Sequence, residues 1–174
     1  MRIRVVVTLV ALVAVAFAVP AGAQTKLKFA HVYETSEAFH TEAVWAAQEI
    51  AKRTNNKYQI DVFAASALGN EQQIAQALPL GTIDLAYLGA SFVGAIYKPI
   101  SIVNAPYVWR DIEHHTAFSK SPLLAELADG YFKQTGNKIV AITYYGARHT
   151  TANKALNKPE DLKGMKVRVQ PTAI

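Results

Sequence analysis

The apolar pattern divides the chain into a short leader and a long remainder. Val5 to Val19 runs without a charge and with a single threonine. Arg2 and Arg4 precede this run, and Pro20 followed by Ala21-Gly22-Ala23 closes it before Gln24. A positive start, a short apolar centre and a small-residue end predict a secretory signal peptide, residues 1–23, cleaved after Ala23. A spanning helix would need about 20 apolar residues, more than this run supplies. No later run is long and apolar enough either, so the exported product is expected to be soluble and not membrane-spanning.

The remainder alternates between two periods. Lys26-Leu27-Lys28-Phe29-Ala30 exchanges charged and apolar residues as a strand does. After the loop His31–Ser36, Phe39, Ala43, Ala46, Ala47 and Ile50 recur at helical spacing, with Glu34 and Glu37 near the start and Lys52 and Arg53 at the end. That charge order suits the helix dipole, and Asn55-Asn56 stops the helix. Tyr58, Ile60 and Val62 mark a second strand. Asn70 then caps a short helix carrying Ile74, Ala77 and Leu78, and Ile83–Leu88 forms a third strand. Strand, helix, strand, helix, strand with short connections predicts parallel pairing through right-handed crossovers.

Further along, Phe92–Tyr97 is a candidate helix, and Ser121-Pro122 places an N-cap before a proline at the first helical position. Leu124, Leu127 and Tyr131 share one face of that helix, and Gly136 ends it. Lys138–Tyr145, with its Ile139-Val140-Ala141-Ile142 centre, reads as a fourth strand. Thr150–Asn153 and Met165–Val169 read as two more, with a turn at Pro159-Glu160-Asp161-Leu162 between them. The expected fold class is α/β with an open, mostly parallel sheet. Ligands of such sheets bind outside the carboxyl ends of the strands. This directs attention to the loops His31–Ser36, Ala64–Asn70, Gly89–Phe92 and Gly146–His149.

Composition narrows the chemistry. Removing residues 1–23 leaves 151 of the 174 residues, enough for one real core. The formal charge falls from +5 to +3 with the loss of Arg2 and Arg4, and no basic run remains to hold nucleic acid. Cysteine is absent, so neither disulfides nor thiol catalysis enters, and a periplasmic protein of ordinary size fits best. Gly89-Ala90-Ser91 begins like a nucleophile elbow, but Val93 stands where the closing glycine belongs. No glycine-rich phosphate loop follows the first strand. The five histidines, at 31, 40, 114, 115 and 149, lack the local spacing of a metal site. No cofactor and no metal are expected.

Arginine is scarce after residue 23, with only Arg53, Arg110, Arg148 and Arg168. Arg53 ends a helix. Arg110, in Trp109-Arg110-Asp111, suits a local ion pair or a helix start. Arg148 follows the fourth expected strand at its carboxyl end. Arg168 shares a face with Lys166 in Met165–Val169, a placement equally suited to a solvated edge strand.

Several segments together resemble the extracytoplasmic solute-binding proteins of TRAP transporters, the DctP-like group. They are Ala67-Leu68-Gly69-Asn70-Glu71, Gly81-Thr82-Ile83-Asp84-Leu85-Ala86-Tyr87, Asn104-Ala105-Pro106-Tyr107-Val108, Tyr144-Tyr145-Gly146-Ala147-Arg148, and Lys158–Val169. The resemblance implies a periplasmic-binding-protein-like fold of two α/β lobes, here residues 24–145 as the first lobe and 146–174 as the start of the second. It implies capture of a small organic acid and its delivery to a membrane permease, without catalysis. Arg168 matches the family's arginine that pairs with the ligand carboxylate through two parallel hydrogen bonds, and Arg148 a second, more variable ligand arginine. His31 and Glu34, in the first loop, and Ser91 and Phe92, in the Gly89–Phe92 loop, match first-lobe ligand segments. Tyr145 and Phe92 suit either a cleft wall or core packing. Some acid-sugar-binding members carry a glutamate where Gly89 stands, which speaks against a sialic acid binder. The family's chains are much longer, so the resemblance further implies an N-terminal part lacking most of the second lobe. An ABC-type or receptor-coupled binding protein of the same architecture, or an exported hydrolase, are the alternatives.

Overall fold

Three short parallel strands carry the fold: β1 (Thr25–Ala30), β2 (Tyr58–Phe63) and β3 (Leu85–Ala86), in the order β2-β1-β3. The structure is a computed structural model and describes residues 24–170; the expected signal peptide, residues 1–23, lies outside them. β1 pairs with β2 along its whole length, from Thr25 opposite Tyr58 to Ala30 opposite Phe63. Only Phe29 and Ala30 pair with β3. The third strand is thus shorter than Ile83–Leu88, and a side chain explains why. The Lys28 amide donates to Asp84 Oδ2 at 2.8 Å, taking a position that a longer ladder would use.

Helices fill the crossovers. α1 (Ala38–Arg53) connects β1 to β2 and buries Ala43 and Ala47. Glu49 pairs across its last turns with Lys52 and Arg53, exposed contacts that add little stability. Asn55 and Asn56 then take left-handed backbone at φ 49° and 59°, which asparagine tolerates better than most side chains. α2 (Glu71–Ala77) connects β2 to β3 and opens on a reciprocal capping box. The Gln73 amide donates to Asn70 Oδ1 at 3.0 Å, and the Asn70 amide to Gln73 Oε1 at 2.9 Å. Ile74 on α2, Ala30 on β1 and Ile83 form the buried core, flanked by Val32, Leu68, Ala77, Leu78, Ala86 and Leu88.

α3 (Ala90–Gly94) and a 3-10 helix (Lys98–Asn104) pack tightly, since a Cβ at Gly94 would run into Ser101. α4 (Ile112–Ser119) begins at Asp111, whose carboxylate caps the His114 amide at 2.6 Å. Trp109-Arg110-Asp111 is therefore a helix start. α5 (Pro122–Thr135) has Ser121 as its N-cap, buries Leu124, Leu127 and Tyr131, and ends at Gly136 with φ 75°. Among the described residues, no helix is long and apolar enough to cross a membrane.

The parallel α/β class holds, but the strands expected after α5 do not form. Lys138–Tyr145, Thr150–Asn153 and Met165–Val169 all run without ladder pairing among the described residues, and only the 3-10 turn Pro159–Leu162 is regular there. A strand exists only where a neighbour bonds its backbone groups. Val140 is 89% exposed and Val169 73%, so the apolar runs have no sheet to join.

Candidate functional site

The loop after β1 is pinned on both sides. The His31 amide donates to Phe63 O and its carbonyl accepts from Ser66 N, while the Ala65 amide donates to Tyr33 O. These bonds turn the His31 ring inward, where it is fully buried. His31 Nε2 lies 3.2 Å from Nδ1 of His40, on the first turns of α1. Around this pair sits an aromatic cluster at the carboxyl ends of β1 and β3. Tyr33 stacks on Phe39 with ring centres 4.6 Å apart, and Tyr87 lies edge-on to Phe39 at 5.3 Å. Tyr145 reaches the same cluster from the irregular segment after α5, 5.5 Å from Tyr33 and 5.2 Å from Phe39. Its hydroxyl donates to Glu37 Oε2 at 3.3 Å.

Burial, then the charge of Glu71, pushes the Tyr33 hydroxyl up to about 12. Tyr87 is raised by burial and Glu42, and Tyr145 by burial and Glu37. All three phenols stay protonated at neutral pH, and that of Tyr145 donates to Glu37. His31 is shifted the other way, lowered by burial and then by His40, against the pull of the Tyr33 backbone and Glu37. The unfolded chain therefore binds the His31 proton more readily than the folded one. Stability from this group is complete above its ordinary value of about 6.5 and is lost as pH falls from there toward the folded pKa. His115, lowered by burial, adds in the same direction. The urea midpoint should drop as pH is taken from 7.5 to 5, and His31→Gln should make that dependence shallower. An identical slope in the variant would mean His31 is not held neutral.

A second cluster lies at the end of the 3-10 helix. Arg148 Nη2 donates to Asn104 Oδ1 at 2.7 Å and to Gln170 Oε1 at 2.6 Å. Asn104 Nδ2 donates to Gln170 Oε1 at 3.0 Å and also to the Ser91 hydroxyl. Ser91 is buried in the first turn of α3. Just before it, the Gly89 amide donates to Glu71 Oε1 at 2.8 Å, so the first turn of α2 fixes the Gly89–Phe92 loop.

The structure thus joins Ser91 to Arg148, and His31 to the aromatic cluster that Tyr145 enters. Phe92 is half-buried beside Ser91. Glu34 and Arg168 are exposed, and among the described residues neither side chain makes a hydrogen bond or ion pair. Sequence reasoning missed Tyr33, His40, Glu71, Tyr87, Asn104 and Gln170 as site residues. Glu71, Tyr87 and Asn104 stood inside family-like segments, Tyr33 lay within the His31–Ser36 loop, and His40 falls on the helix directly after that loop. Gln170 carried no signal. No three metal-ligating side chains converge among the described residues. Two surface grooves lie elsewhere, along α4 and between α5 and Ile139–Ile142. Convergent polar groups at the strand ends define the candidate site.

The model of the bacterial extracellular solute-binding proteins, family 7 (DctP), matches residues 29–174. A solute-binding protein of Verminephrobacter eiseniae is 32% identical over 129 residues, 74% of this chain and 38% of that protein. The sialic acid-binding periplasmic protein SiaP of Vibrio cholerae is 25% identical over 160 residues, 92% of this chain and 50% of its own. The crystal structure of a TRAP periplasmic solute binding protein from Citrobacter koseri, with bound D-glucuronate, superposes with a TM-score of 0.78 at 27% identity, covering 86% of this chain and 50% of that one. The chain spans half or less of the length of each of these relatives. The family model covers the chain from the end of β1 through residue 174, and on this ground the chain belongs to the family 7 (DctP) bacterial extracellular solute-binding proteins.

Proposed function

We propose that this protein is the periplasmic receptor of a TRAP transporter, exported by cleavage after Ala23, which captures a small organic acid and hands it to the membrane permease. The observation that carries the reading is the Arg148 guanidinium, held by Asn104 and Gln170 beside the loop that follows β3. A fixed cation at the carboxyl ends of a parallel sheet is where and how such folds take an anion. In this reading residues 24–145 form the first lobe and 146–174 begin the second. Arg168 supplies the fork for the carboxylate, while His31, Glu34, Ser91, Phe92 and Tyr145 line the first-lobe side. Closure of the lobes strips water from the arginine–carboxylate pair only while ligand is present, so the contact is strong when shut and releasable when open. No bond is made or broken, and no cofactor is needed.

Membership in a binding-protein family and binding of D-glucuronate by the Citrobacter koseri relative both support an acid as the ligand. The absence of a glutamate at position 89 weighs less than the sequence suggests, because Glu71 brings a carboxylate oxygen to the Gly89 amide. Titration calorimetry on the full-length gene product, against uronic, aldonic, sialic and dicarboxylic acids and their uncharged amides, tests the proposal. Saturable binding of an acid, with its amide far weaker, is expected. Failure of every acid to bind would remove the capture function.

A further inference from the structure

We propose that Asn104 and Gln170 are specificity-determining positioning residues that restrict Arg148 to single-point contacts, so that the site takes acids with one carboxylate and several hydroxyls and disfavours dicarboxylates. This deepens the capture reading and rests on it. A guanidinium can grip a carboxylate with two parallel bonds along only two edges, Nε with Nη2 or Nη1 with Nη2, since Cδ blocks the third. Both usable edges include Nη2. That nitrogen carries two hydrogens, and it already donates to two acceptors, Asn104 Oδ1 at 2.7 Å and Gln170 Oε1 at 2.6 Å.

The two amides are tied to each other and to α3. Asn104 Nδ2 bonds to Gln170 Oε1 at 3.0 Å and to the hydroxyl of Ser91, which is only 5% exposed. A buried serine on α3 therefore anchors a network that joins the 3-10 helix to the end of the described chain. What Arg148 has left are the Nε and Nη1 hydrogens, each able to meet one oxygen but not to form a fork. A ligand hydroxyl satisfies them fully, whereas a second carboxylate would be held by half the bonds it can accept.

The neighbouring acids push in the same direction. Glu71 sits on the Gly89 amide, two residues before Ser91, and Glu37 faces Tyr145. Ligand hydroxyls can donate to these carboxylates, while a second ligand carboxylate is repelled by them. The remaining groups at the strand ends are protonated phenols and a buried histidine, which suit hydroxyl-rich molecules.

Calorimetry on the full-length gene product would compare D-glucuronate, D-galacturonate and D-gluconate with succinate and L-malate. At least one sugar acid is expected to bind about tenfold or more tighter than either dicarboxylate, as one charge-assisted hydrogen bond predicts. The double variant Asn104→Leu, Gln170→Leu frees Nη2 at similar volume and should shift that ratio about tenfold toward succinate. Gln170→Glu keeps the shape and the oxygen that accepts from both Arg148 and Asn104 and should retain the preference, which separates the hydrogen bond from a folding defect. Equal affinity for the two classes in the unaltered protein, an unshifted ratio in the double variant, or loss of the preference in Gln170→Glu would each overturn the specificity assignment while leaving acid capture intact. Binding of some other carboxylate but none of these five would do the same. If no carboxylate binds at all, the capture reading falls and takes this inference with it.

Discussion

Arg168→Lys should weaken binding of the captured acid about 100-fold in the full-length gene product, with the fold left intact. Two parallel charge-assisted hydrogen bonds, of which lysine can keep at most one in good geometry, account for a loss of this size: about 3 kcal/mol, or two powers of ten. The fold should tolerate the change because Arg168 is exposed and engages no partner among the described residues. In the proposed reading it acts only on the ligand, and thermal unfolding without ligand should coincide for the two proteins. Arg148→Lys makes an instructive comparison. Arg148 is tied to Asn104 and Gln170, so losing its guanidinium disturbs a network as well as a contact, yet only single-point ligand bonds are at stake. The expected loss there is about tenfold. A reversed ranking would move the carboxylate fork from residue 168 to residue 148, and equal affinity in Arg168→Lys would remove residue 168 from the site.

Which parts of this were legible beforehand follows from where the information sits. β1, β2 and α1 carry their period and their stop signals within a few residues, and so do the caps at Asn70 and Ser121. Lys138–Tyr145 has an equally apolar centre, but an apolar run specifies only a wish for a neighbour. No ladder partner exists among the described residues, and the segment stays irregular. The Asp84 side chain shortened β3 by bonding the Lys28 amide, a contact 56 residues away that no local pattern encodes. The site shows the same division. Arg148 stood out because arginine is rare here and this one follows an apolar stretch. Its partners are neutral amides 44 and 22 residues distant, and neutral amides look alike wherever they fall. His31 was visible as a loop residue, but its burial against His40 depends on the turn made by Ala65 and Ser66 at φ 49° and 61°.

Ile74→Ala should be the most damaging single substitution in the described core. Ile74 is fully buried and joins Ala30 of β1 to Ile83 just before β3. α2 has seven residues, too few to persist without tertiary contacts, so Ile74 and the Asn70 capping box hold it in place. Truncating a fully buried isoleucine costs about 2–5 kcal/mol, a large part of the 5–15 kcal/mol that ordinarily separates folded from unfolded domains. The effect should also reach the site. The first turn of α2 supplies Glu71, which fixes the Gly89 amide ahead of Ser91 and hence the serine that anchors Asn104. A loosened α2 should therefore lower acid affinity as well as the urea midpoint, whereas Ile74→Val, costing about 1 kcal/mol, should lower the midpoint slightly and leave α2 seated. Urea denaturation and calorimetry on the same samples check both halves. A midpoint in Ile74→Ala within error of the unaltered protein would mean that the contact between α2 and the sheet is not what holds this half of the site together.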